Sequence, residues 1–130
     1  MVDVHPFRDD QDQSLIINET RRTQNSGLRL LVRCDDLDSL AETQAQQMAA
    51  SRTVKHCQLD QLLADMKDPY LYEQVGENVG RGKTFLLGHG KMMAEASNFC
   101  NVVDPKYREM GMATAKGRDG KIYICQLFRG

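Results

Sequence analysis

Few residues in this chain have a type and setting that could support chemistry. Val75-Gly76-Glu77-Asn78-Val79-Gly80 places a carboxylate between a glycine and an amide, with valines outside. The valines predict a partly buried backbone, and carboxylates are seldom buried unless paired or hydrogen-bonded. His56, within Arg52-Thr53-Val54-Lys55-His56-Cys57, is a partner of the right type. Such a pair could do general acid–base work on a peptide or ester, with Glu77 as base beside His56. The bland alternative is a solvated loop glutamate beside an asparagine that holds a turn. His56 and Glu77 are the catalytic candidates, yet no serine is placed for a nucleophile. Cys57 and Cys100 are thiols that a histidine could activate, but Cys57 follows His56 directly and on a strand would point away from it. His56, His89 and Glu77 are metal-ligand types whose spacing matches no standard motif. No metal and no other cofactor is therefore expected, and His56 is the residue that a metal would use. His89 lies between Gly88 and Gly90, a setting that predicts mobility. Gly80-Arg81-Gly82 lacks the pattern of a phosphate loop.

Positioning these residues falls to helices early in the chain and strands late. Ser14 is placed to cap a helix from Leu15 that stops before Gly27. Asp35 or Asp36 opens a second helix, with Leu37, Leu40, Ala41, Ala45, Met48 and Ala49 on one buried face. Its alanines imply close approach to a neighbour. A short third helix is predicted over 59–66 and is broken by Asp68-Pro69. Residues 70–82 read as loop and turns, and another short helix is predicted around 91–96. The end reads as a hairpin, with strands over 110–115 and 122–128 and a turn at Asp119-Gly120. Tyr123, Cys125 and Leu127 share one face of the last strand; Ile122, Ile124, Gln126 and Phe128 share the other. Two largely apolar faces predict cover on both sides. The pattern is that of an α/β chain with helices on both faces of a sheet. Residues 1–13 read as a polar N-terminal arm and 14–130 as a single domain.

Composition narrows the function. The chain has 130 residues, 17 basic against 18 acidic, and a formal charge of -1, which shows no nucleic-acid footprint. Lys106, Arg108, Lys116, Arg118 and Lys121 gather late in the chain and could meet an anionic membrane surface. Asp104, Glu109 and Asp119 dilute them. Cys34, Cys57, Cys100 and Cys125 form no CxxC, so they read either as buried thiols or as including at least one disulfide. The first ten residues lack a signal-peptide pattern, which predicts a cytoplasmic protein. A leader removed or lying outside this sequence would make it extracellular.

Taken in order, these segments resemble the CAP superfamily of cysteine-rich secretory, antigen 5 and pathogenesis-related 1 proteins. The likeness rests on Asn18, Arg21 and Gly27-Leu28, on the second helix, and on Ala50 to His56. It continues through Gly76-Glu77-Asn78-Val79, Asn98 to Val103, Met110 to Ala113 and Gln126 to Phe128. Arg52 to His56 looks most like the Golgi-associated plant pathogenesis-related branch. The resemblance implies an α-β-α sandwich with a central, mainly antiparallel sheet. It also implies a cleft lined by His56, Glu77, Glu95 and Asn98, with Gly76 and Asn78 structural. Asn98 stands where the family has its second histidine, and an amide is no proton base, which argues against a divalent metal. The segment between Glu95 and Asn98 is shorter than the family's, and tryptophan is absent where the family carries it. The implied function is a small non-enzymatic protein that binds lipid or sterol, or a protein or membrane surface. The alternatives are hydrolase-like activity through Glu77 and His56, and a homodimerising interaction protein. The implied location is extracellular, or else cytoplasmic or on the cytosolic face of the Golgi membrane.

Overall fold

In the computed structural model, residues 9–57 and 74–130 are described. The elements run α1 (Asp9–Gln24), β1 (Val32–Arg33), α2 (Asp35–Ser51), β2 (Val75–Gly82), α3 (Phe85–Met93), α4 (Ala96–Val103), β3 (Glu109–Lys116) and β4 (Ile122–Arg129). The strands form one sheet in the order β1-β3-β4-β2. β1 runs parallel to β3, and the other neighbours are antiparallel. α2 covers one face, while α1, α3 and α4 cover the other. This is the expected α-β-α sandwich.

α2 explains the spacing of one layer. Leu37, Ala41, Ala45, Met48 and Ala49 are buried against Val79, Ala113, Tyr123, Cys125 and Leu127. Asp35, Asp36 and Asp38 lie in its first turn, where negative charge favours the helix dipole. The Asp36 carboxylate also accepts from the Leu37 N–H at 2.9 Å. A Cβ on Gly111 would collide with the Leu37 backbone, so only glycine lets β3 pass this close to the helix. The helix ends at Arg52, whose left-handed φ of 55° turns the chain back toward the sheet.

The opposite layer departs from the pattern read in the sequence. α1 begins at Asp9, five residues ahead of the expected cap. Residues 9–13 are therefore helical, and Gln13 is fully buried. Val75–Gly82 is a strand where loop and turns were expected. Glycine is poor strand material, but all eight residues pair with β4, and this tertiary pairing overrides propensity. The next helix starts at Phe85, with Thr84 accepting from the Leu87 N–H at 3.2 Å, rather than near Lys91. The hairpin forms as expected, with Gly120 at φ 79° in its turn. The two faces of β4 also divide as expected. The helix expected over 59–66 and its Asp68-Pro69 break lie outside the described residues.

Arg21 joins three parts of that layer. It is fully buried, and its guanidinium donates to the Arg29, Val102 and Asp104 carbonyls, each at 2.9 Å. Asn18, one turn earlier, donates to the Leu31 carbonyl at 3.1 Å and accepts the Leu31 N–H at 2.8 Å. Together they lock α1 to the segment leading into β1 and to the end of α4. Arg21→Met keeps much of the volume and removes the donors. It is expected to cost about 3 kcal/mol in urea unfolding, because buried carbonyls lose charged partners.

Candidate functional site

Glu77 lies on the face of β2 that α2 covers, and its side chain is 1% exposed. Its Oε1 accepts from His56 Nδ1 and from the Cys57 N–H, both at 2.9 Å. Its Oε2 accepts from Cys57 Sγ at 2.8 Å and from Cys125 Sγ at 3.6 Å. A carboxylate oxygen accepts, so Nδ1 is the His56 nitrogen that donates to Glu77, and Nε2 is turned away from it. The His56 side chain is 64% exposed. α2 itself holds the segment carrying these donors. Gln44 Nε2 donates to the Lys55 carbonyl at 2.7 Å, and the Lys55 N–H donates to the Met48 sulfur at 3.4 Å. Cys57 was expected to point away from His56. It does not, because 53–57 is not a strand and both residues close on one carboxylate.

The thiols beside Glu77 are held protonated. Burial, followed by the hydrogen bond and negative charge of Glu77, pushes the Cys57 pKa up to about 12. Burial, together with the charge of Glu77, raises the Cys125 pKa well above its ordinary value. Neither is a thiolate at neutral pH, and nucleophilic chemistry needs the thiolate. All four cysteines are free thiols.

Asn78, next along β2, points to the other face and builds a second polar cluster. Its Nδ2 donates to the Asn98 carbonyl at 3.0 Å and to Gln126 Oε1 at 3.3 Å. Its Oδ1 accepts from Asn101 Nδ2 at 2.9 Å. Gln126 Nε2 in turn donates to His89 Nδ1 at 3.0 Å. His89 is therefore buried and bonded between its two glycines, not mobile. Gly88 faces the backbone at Arg81 and Gly82, which lets α3 lie directly on β2. Burial lowers the His89 pKa. Gly76 is structural in the same sense, since a Cβ there would collide with the Tyr107 hydroxyl.

The four expected cleft residues thus form two pairs. His56 bonds Glu77 on the α2 side. Asn98 Nδ2 donates to Glu95 Oε2 at 3.3 Å at the start of α4, on the other side of β2. Glu95 is exposed and Asn98 buried. Among the described residues, no group of three or more His, Cys, Asp or Glu side chains is arranged to hold a metal ion. The donor set does not fit one either, because His56 Nδ1 and Glu77 are spent on each other and Asn98 offers only an amide. Sequence reasoning missed Asn101, Gln126 and Cys125 as members of these clusters, and with them Gln13, whose Oε1 accepts from Gln126 Nε2 at 3.5 Å. Gln126 alone carried a signal, as a polar residue inside an otherwise apolar strand.

Comparison with known proteins bears on this geometry. The model of the cysteine-rich secretory protein family, CAP, matches residues 15–128. No curated protein gives a significant match. Among solved structures, the chain is similar to an outer surface protein of Borrelia burgdorferi, with a TM-score of 0.77 and 17% identity, over 97% of this chain and 95% of that one. It is also similar to a cysteine-rich secretory protein of Staphylococcus aureus, with a TM-score of 0.70 and 23% identity. That match covers 99% of this chain and 40% of the other, so the chain spans less than half of that relative. Venom allergen-like protein 4 of Schistosoma mansoni matches with a TM-score of 0.64 and 15% identity, over 95% and 88% of the two chains.

Two measurements test the two clusters. At pH 8, a thiol of pKa about 12 is roughly one part in ten thousand thiolate. Burial, the largest cause, stays in Glu77→Gln, but the Glu77 charge that adds to it is removed. Alkylation of Cys57 by iodoacetamide is therefore expected to speed up about tenfold, read by peptide mass mapping. For His89 the folded pKa lies below the unfolded value of about 6.5. The unfolded chain therefore takes up the proton first as the pH falls. Stability from this residue is complete above pH 6.5 and declines below it toward the folded pKa. His89→Gln is expected to make the fall in unfolding free energy below pH 6.5 shallower, by up to one proton per molecule.

Proposed function

The chain belongs to the cysteine-rich secretory protein (CAP) family, and from that premise we propose that it is a small non-enzymatic binding protein for lipid or sterol, presented at a membrane surface. The observation that carries this reading is the outer face of α3. Leu86 and Leu87 are 59% and 57% exposed, large values for adjacent leucines on a packed helix. Lys83 immediately precedes the cap, and Lys91 lies one turn beyond Leu87, both exposed. Apolar residues between cationic ends suit acyl chains below anionic head groups. In this reading His56 and Glu95, the exposed members of the two pairs, each meet a polar group on their own side of β2. Glu77 and Asn98, the buried members, hold the loops. The Golgi-associated branch is favoured by Arg52 to His56. An extracellular location is favoured by the secretory and outer-surface names of relatives.

One observation favours a second reading. His56 is oriented by a buried carboxylate while its ring stays exposed, which is the arrangement of a positioned base. Against it, Glu77 already accepts four donors, and the adjacent thiol is protonated. Ester hydrolysis that disappears in both His56→Ala and Glu77→Gln would establish this reading over the first. A protein that runs as a dimer in light scattering and binds no lipid would favour the homodimerising alternative.

The main reading is tested by flotation with phosphatidylcholine vesicles with and without phosphatidylserine, and by cholesterol binding. Binding to anionic vesicles that weakens with salt is expected. Replacing both Leu86 and Leu87 by serine is expected to weaken it at least tenfold, since burying one leucine is worth about 2 kcal/mol. Absence of both lipid and sterol binding refutes the proposal.

A further inference from the structure

The Glu77 carboxylate does more than hold His56. Its Oε2 is shared by two thiols from separate parts of the fold: Cys57 after α2, and Cys125 in the middle of β4. Two sulfurs within 2.8 and 3.6 Å of one oxygen atom lie no farther apart than the sum of those distances. Both also belong to the apolar layer between α2 and the sheet. Their accessibilities differ. Cys57 is half-buried, whereas Cys125 is fully buried. A half-buried thiol beside a fully buried one is the arrangement in which the first forms a mixed disulfide and the second resolves it. The other two thiols are placed differently. Cys34 donates to the Val32 carbonyl, and Cys100 is exposed on α4.

We propose that Cys57 and Cys125 are a covalent modification site, which a low-molecular-weight disulfide such as glutathione disulfide converts to an intramolecular disulfide across the Glu77 face of β2. Cys57 gives its proton to Glu77 Oε2, and its thiolate attacks one sulfur of glutathione disulfide. That S–S bond breaks, and the departing glutathione thiolate takes a proton from solvent. Glu77 releases its proton to solvent and then receives the proton of Cys125. The Cys125 thiolate attacks the Cys57 sulfur of the mixed disulfide and expels the second glutathione, which is protonated in turn. Two protein thiols are oxidised, and one glutathione disulfide is reduced to two glutathione thiols. The protonated resting state of both thiols makes the exchange slow at neutral pH and faster above it. The product replaces two S–H···O contacts with a covalent tether between the 53–57 segment and β4. It leaves Oε1, with His56 and the Cys57 N–H, as the hydrogen-bonded end of Glu77.

The test incubates the folded chain with excess glutathione disulfide at about pH 8, quenches with acid, blocks free thiols and maps cross-links by mass spectrometry. A Cys57–Cys125 cross-link at least tenfold more abundant than any other pair is expected, and the preference should disappear in denaturant. Cys125→Ala should stop at a glutathione adduct on Cys57. Pairing of Cys57 with Cys34 or Cys100, intermolecular dimers as the main product, or no cross-link after prolonged incubation would overturn the proposal. The outcome does not depend on whether the chain binds lipid.

Discussion

Successive side chains on a strand point to opposite faces, and in β2 that alternation separates Glu77 from Asn78. One peptide bond therefore anchors both layers of the sandwich. Glu77 gathers His56, Cys57 and Cys125 under α2. Asn78 gathers Asn98, Asn101 and Gln126 under α4 and α3. The pairing of Glu77 with Leu127 and of Asn78 with Gln126 sets which face each one serves. A slip of one residue would drive the carboxylate into the amide cluster and the amide under α2. The register of β2 thus positions Glu77 and Asn78, the residues on which the two clusters converge.

Burying these groups is tolerable because each has partners. An unpaired buried carboxylate is costly, and four donors around Glu77 offset that cost. The amide cluster works as a chain, in which each donor leads to the next acceptor from Asn101 through Asn78 and Gln126 to His89. Among the described residues, Gln13 Nε2 and Arg21 Nη2 are the buried side-chain atoms without a hydrogen-bond partner. Both clusters also need backbones that approach closely. Small residues supply that closeness, with Gly111 beneath the Leu37 backbone of α2 on one side and Gly88 over Gly82 on the other.

Much of this was legible in the sequence. The alanine face of α2, the terminal hairpin and the two apolar faces of β4 all follow from periodicity, which reports burial directly. Val75–Gly82 was not legible as a strand, since glycines and the Glu77-Asn78 pair read as a turn until a long partner strand lies beside them. The start of α1 was hidden in the same way, because its acidic first turn looked like a solvated arm. His89 between glycines looked mobile, and its hydrogen bond with Gln126, far along the chain, together with its ring contact to Phe85, makes it a core residue.

By itself, then, the sequence determined the layer architecture and the family likeness, and it offered His56 as a partner of the right type for Glu77, because residue types and local spacing carry those. The tertiary structure alone decided which face each polar residue serves. It brought Cys57 and Cys125 onto one carboxylate oxygen and set Glu95 and Asn98 apart from His56 and Glu77. Those outcomes depend on strand register and on contacts between residues distant in the chain, and local pattern holds no record of either.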